Sequence, residues 1–130
     1  TSEEISNLRS ELANNPEALK ALEVIEECDG DLADAAESLA TRNGIEGVED
    51  KGEVRWFTET LRKCHGYICQ PKYKNLREKR VPELIPIITE LLLELLGCIP
   101  GVATVIATPV AIYIEKEGME KFCQSYNPNP

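Results

Sequence analysis

The chain has little of what enzymes commonly place at a catalytic centre. Among 130 residues there is a single histidine, His65, so no second imidazole exists to act as base for a thiol nucleophile held elsewhere in the fold. No G-x-x-x-x-G-K-[ST] loop, no G-x-G-x-x-G turn and no G-x-S-x-G elbow occurs, which removes the motif-borne routes to phosphate binding, dinucleotide binding and serine acyl transfer. Positive charge is also scarce, with 14 Lys and Arg against 23 Asp and Glu and a net charge of −9. Taken whole, such a chain is repelled by nucleic acid and by anionic lipid. No basic n-region and apolar h-region open the sequence, and five cysteines at irregular spacings make a poor disulfide framework. The expectation is therefore a reducing, cytoplasmic setting.

What is present is charge in blocks. Residues 1–50 hold 14 acids and 3 bases, residues 51–80 hold 3 acids and 9 bases, and residues 81–130 hold 6 acids and 2 bases. Opposite blocks attract, so the acidic first block is expected to dock on the basic second one, within a chain or between two copies.

The first block reads as three helices. Thr1 and Glu4 fit a capping box, with Ile5, Leu8 and Leu12 on one face behind it. In "NNPEALKALEVIEEC" an Asn supplies an N-cap and Pro16 a tolerated first-turn proline, and Ala18, Ala21, Leu22, Ile25 and Cys28 form an apolar stripe. Gly30 can then take the left-handed conformation that ends this helix while Asp31 caps the next. Leu32, Ala35, Ala36, Leu39 and Ala40 give the third helix its inner face, with Gly44 as its stop and Ile45 folding back on it.

The run "VIEECDGDLADAAESLATRNGI" resembles the second and third helices of ubiquitin-associated (UBA-like) domains, most of all the N-terminal module of elongation factor Ts, at Ile25, Gly30, Asp31, Leu32, Ala35 and Leu39, then Gly44 and Ile45. The resemblance covers residues 1–45, about a third of the chain, and implies a compact three-helix unit that docks on another protein. Its functional residues do not carry over. Where elongation factor Ts has a Thr-Gly-rich motif, and ubiquitin binders a Met-Gly-aromatic loop, this sequence has "ANNPEA", Ala13 to Ala18.

Residues 46–52, rich in glycine, read as a linker before a more hydrophobic helical unit over 53–124, followed by a tail over 125–130. Val54, Phe57, Leu61, Cys64 and Ile68 are spaced 3, 4, 3 and 4, the seam of an amphipathic helix ending at Pro71, with Trp56 on its flank. In "VPELIPIITELLLELLG" only Glu83, Glu90 and Glu94 form a polar stripe, so the helix must be surrounded. It would begin at Pro82 or Pro86 and end at Gly97. After it, Ala103, Ala107 and Ala111 allow a neighbouring helix to approach closely, although the β-branched residues keep a strand pair broken at Pro109 as an alternative.

Candidate chemistry centres on "KCHGYIC", Lys63 to Cys69. On a helix Cys64 and His65 diverge by roughly 100° and cannot form a nucleophile–base pair, whereas His65 and Cys69, at i and i+4, could share a metal. A closed site needs four ligands, and Cys28, Cys98 and Cys123 stand alone, so the cysteines read as packing residues and no metal or cofactor is expected. Acid pairs such as Glu26 and Glu27, or Glu90 and Glu94, read as solvated helix faces. Lys72, Lys74, Arg77, Lys79 and Arg80 are the candidate partner-binding residues, but with Tyr73 as the sole interleaved aromatic they do not favour nucleic acid.

The expectation is an all-α protein, a UBA-like three-helix unit followed by a hydrophobic helical bundle or hairpin, acting without catalysis as a protein-interaction module that forms a homo-oligomer. Its protein partner is not encoded in any residue pattern. The alternative is lipid or membrane association through 81–114. Leu95 to Ile114 is a 20-residue run without charge, about 30 Å long if it were one helix, but it is interrupted by Pro100, Gly101 and Pro109 and flanked by Glu94, Glu115 and Glu117.

Overall fold

Seven helices account for most of the residues that the computed structural model describes, which are 2–48, 55–73 and 79–125, and among these there is no strand. They are α1 (Ser2–Glu11), α2 (Pro16–Glu27), α3 (Leu32–Arg42), α4 (Trp56–Ile68), α5 (Val81–Leu96), α6 (Pro100–Glu117) and α7 (Met119–Ser125). The all-α class expected from the sequence is the class observed. Thr1, Val54, Lys74, Arg77, linker residues 49–52 and tail residues 126–130 lie outside the described residues.

The first three helices are delimited by local chemistry. The Asn15 side chain accepts a hydrogen bond from the Ala18 N–H at 3.1 Å, with Pro16 as the first helical residue. Asp31 does the same for the Asp34 N–H at 2.9 Å. Each such cap satisfies one of the amides a helix start leaves unpaired. At the end of α3 the Ile45 N–H bonds the Ala40 carbonyl and the Gly44 N–H bonds the Thr41 carbonyl, the two bonds of a Schellman motif with Gly44 at φ +79°. The end of α2 repeats this pattern one residue earlier than expected. Gly30 N–H bonds the Ile25 carbonyl and Asp29 N–H the Glu26 carbonyl, so the left-handed closing position belongs to Asp29 (φ +55°), with Gly30 (φ +84°) following it.

The rest of the chain is organised around α6. Residues 105–112 of this helix are all buried, as are Ala103 and Ile114, because α5 covers one side while α2 and α3 cover another. Ala103, Ala107 and Ala111 are fully enclosed, and without bulky side chains there the helix axes can lie close together. The alternative of a strand pair broken at Pro109 is overturned. Enclosure on all sides outweighs the weak strand preference of Val, Ile and Thr, and Thr104 and Thr108 turn their hydroxyls back to the Pro100 and Thr104 carbonyls, both at 3.0 Å. Pro109 is accommodated inside the helix.

α5 starts at Val81 with Pro82 in its first turn, and Pro86 lies within it. Its exposed line is Glu83, Pro86, Glu90 and Glu94, so the carbonyl that Pro86 leaves without an N–H partner is near water rather than in the core. Gly97, left-handed at φ +62°, closes the helix. The run Leu95–Ile114 is therefore not one helix: it breaks at 97–99, and the chain turns through 118° between α5 and α6. Among the described residues no single helix is long and apolar enough to cross a membrane, and only this bent pair meets the length and composition of a broken span.

Candidate functional site

Three places gather the residues that the sequence singled out. The first is where α4 meets α7. Gly118 (φ +88°) breaks the last hydrophobic segment, and α7 then lays Met119 and Phe122 into the core. This brings Cys123 onto Cys69, and the two form a disulfide across 54 residues of sequence. The packing role expected of these two cysteines is corrected, as is the poor prospect of any disulfide. Closing a loop of that length removes on the order of 4 kcal/mol of unfolded-state freedom in the chain-entropy account.

His65 is 8% exposed and its Nε2–H donates to the Cys123 carbonyl at 2.7 Å. A carbonyl can only accept, so this bond places the proton on Nε2. With Cys69 in a disulfide and His65 Nε2 protonated toward a carbonyl, this structure gives the pair no shared metal-binding face. Among the described residues no group of three or more His, Cys, Asp or Glu is placed to hold a metal. Cys64 lies on the inner seam of α4, fully buried, and burial pushes its thiol up to about 12. Burial also raises the thiols of Cys28 and Cys98 above their ordinary value.

The second place is the basic segment. Lys72 lies 5.1 Å from the centre of the Tyr73 ring, Lys79 pairs with Glu83 at 3.2 Å, and Arg80 pairs with Glu11 of α1 at 2.6 Å. Each of these three thus has a contact within the chain. Arg80 reaches the acidic first block, as do two bases the sequence did not single out. Arg55 bonds Asp34 at 2.7 Å and Glu37 at 2.6 Å, and Lys116 bonds Glu4 at 3.1 Å. Glu37 also accepts from the Phe57 N–H at 3.1 Å, capping α4 from α3. The hydrogen bonds that the Arg55 guanidinium donates to Glu37 and Asp34 hold it further above its already high range. At the far end of the hairpin the Glu115 carboxylate accepts the Val81 N–H at 2.7 Å and caps α5 from α6.

The third place is the turn of the α5–α6 hairpin. Ile99 precedes Pro100 at the start of α6 and is 69% exposed, more than any other large hydrophobic residue among those described. Beside it opens a cavity of about 420 Å³ that runs along α2 and is bounded by the end of α3 and the start of α6. Val24, Leu39, Val102 and Val105 supply its apolar lining, while Glu17, Glu23, Glu27, Lys20 and Arg42 supply its charges. The Glu17 side chain lies alongside Gly101, where an added Cβ would stand 4.0 Å from it.

Neither Ile99 nor the Cys69–Cys123 pair is singled out by the sequence. Ile99 was within reach, since a residue between a helix-closing glycine and a helix-starting proline sits at a turn. The disulfide was not, because connectivity among five cysteines cannot be deduced from their order. No family model matches this chain, and no curated protein or solved structure matches it either.

Proposed function

We propose that this protein is a non-enzymatic protein-interaction module that associates with a second copy of itself through the turn of the α5–α6 hairpin. The observation that carries the reading is Ile99, 69% exposed beside a cavity lined by Val24, Leu39, Val102 and Val105 together with charged side chains. A large aliphatic side chain next to a recess that offers it those four apolar contacts forms a self-complementary pair under two-fold symmetry, each copy offering one of each. The charges around the recess support the same occupant: Glu17, Glu23 and Glu27 stand with Lys20 and Arg42, so a symmetric copy can set acids against bases without any foreign surface. The resemblance of residues 1–45 to UBA-like docking domains agrees with an interaction role, and in this reading α2 and α3 of that unit contribute half of the docking surface.

Sedimentation over a range of concentrations tests it. The expected result is a monomer–dimer equilibrium that Ile99→Glu shifts to monomer with the helical circular dichroism unchanged. A strict monomer at every concentration overturns the reading.

The second reading, lipid association through 81–114, draws on the bent α5–α6 pair, which has the length and composition of a broken span. It requires that pair to leave its cover of α2 and α3. Co-flotation with liposomes of mixed neutral and anionic lipid would favour it, and protein remaining in the soluble fraction at every composition removes it.

A further inference from the structure

The geometry points to the Cys69–Cys123 disulfide as a thiol–disulfide exchange site, through which a dithiol controls how tightly α7 is held on α4. The bond lies on the wall of an open cavity of about 370 Å³, lined also by His65, Gln70, Tyr73 and Glu120. Both of its cysteines are partly exposed. Of the remaining cysteines Cys64 is fully enclosed, while Cys28 and Cys98 are partly exposed but unbonded, so among the described residues Cys69–Cys123 is the disulfide that a dithiol can reach.

What that bond holds is small and separable. α7 is seven residues long and follows the break at Gly118, and Met119, Phe122, the His65 bond to the Cys123 carbonyl and the Lys121–Glu117 pair are among its non-covalent holds. These non-covalent contacts do not involve the sulfurs, so they remain when the bond opens and keep the two thiols near each other. The opening is therefore reversible rather than an unfolding.

The exchange balances with a dithiol as the reductant. One of its thiolates attacks a sulfur of the Cys69–Cys123 bond, forming a mixed disulfide and displacing the other cysteine as thiolate. The second thiol of the reagent then attacks the mixed disulfide, releases the first cysteine and leaves as a disulfide. Two electrons and two protons pass to the chain.

The test treats folded, full-length protein with dithiothreitol, then alkylates and locates the label by mass spectrometry, with amide exchange of α7 followed in parallel. Expected are labels on Cys69 and Cys123 while Cys64 stays unlabelled, a loss of α7 amide protection on the order of 10-fold or more, and recovery of both on adding oxidised dithiothreitol. A C69S/C123S variant should match the reduced protein. The proposal is overturned if the bond opens only together with labelling of Cys64, if oxidised dithiothreitol leaves all five thiols free, or if α7 protection is the same in both redox states. Because reduced wild-type protein supplies the exchange measurement, a variant that fails to fold does not remove the test.

Discussion

The three helices of residues 2–45 and the α5–α6 hairpin are both helical and both contribute to one continuous buried cluster, yet they are specified in different ways. In the first region the beginnings and ends are written into the residues at those positions: Asn15 and Asp31 cap, and Asp29 and Gly44 close. In the hairpin the starts of both helices lack a side-chain bond from their own N-cap residue, and α5 borrows the Glu115 carboxylate from the far end of α6. The first region is thus set locally, whereas α5, although Glu83 accepts the Arg80 N–H and Gly97 closes it, also takes a cap from the far end of α6. α6 joins them, since the helix that closes the hairpin is also the wall on which α2 and α3 rest.

The largest expected effects ask whether that joining is real in energetic terms. Leu22 on α2 and Leu92 on α5 are both fully buried, and each truncation to Ala is expected to cost about 2–5 kcal/mol. If both regions share one core, chemical denaturation followed by circular dichroism gives a single transition for either variant, with its midpoint lowered. Two separated transitions, with Leu22→Ala moving only one, would show that the first region folds independently of α6.

Smaller effects of opposite sign probe the local rules of the first region. Gly44 has φ +79° with open space where a Cβ would go, so Gly44→Ala should lose about 1 kcal/mol from backbone conformation alone. Asp29 occupies the equivalent closing position of α2 at φ +55°, and there Asp29→Gly is expected to raise stability by up to about 1 kcal/mol. Thermal melts of the two variants should move in opposite directions; a shift of the same sign in both would mean that the closing conformation does not decide these ends.

The same contrast explains what could be read from the sequence. Caps and stripes act within four residues, so Asn15, Asp31, Gly44 and the Ala35–Leu39 face were legible, and only the one-residue choice between Asp29 and Gly30 was not. The glutamate stripe of α5 was equally legible, because a single line of charge on an apolar helix leaves one orientation toward water. Pro109 was misleading, because its helix is held by neighbours distant in sequence. Of the candidate chemistry, His65 and Cys69 were found but their partner was not: Cys123 arrives only after the chain has passed through α5, α6 and the Gly118 break. The Lys72 to Arg80 bases were legible as charge that an acidic first block can meet, and Arg80 does meet Glu11, but the particular partner, far back in sequence, was not legible.

A still smaller effect is expected at the surface. Arg9 and Glu26 meet at 2.7 Å, both largely solvated, and Arg9→Ala should cost less than about 1 kcal/mol, shrinking further in high salt. A larger loss that persists in salt would mean that this contact, rather than the buried faces of α1 and α2, fixes how the two helices pack.

The smallest effect is a pH dependence at the start of α5. The Arg80 N–H donates to the Glu83 carboxylate, and Lys79 lies beside it, so that carboxyl titrates below its ordinary value of 4.5. A group whose folded-state value is depressed contributes stability above its unfolded value, and the contribution is lost as pH falls through the folded one. Glu83→Gln removes the titration while keeping a side chain of similar shape. The melting temperatures of wild type and variant should therefore differ slightly at neutral pH, with wild type higher, and converge as the pH is lowered past 4.5. A difference that stays constant across that window would assign the role of Glu83 to shape and hydrogen bonding instead of charge, making the start of α5 as indifferent to its own charges as the buried remainder of the hairpin.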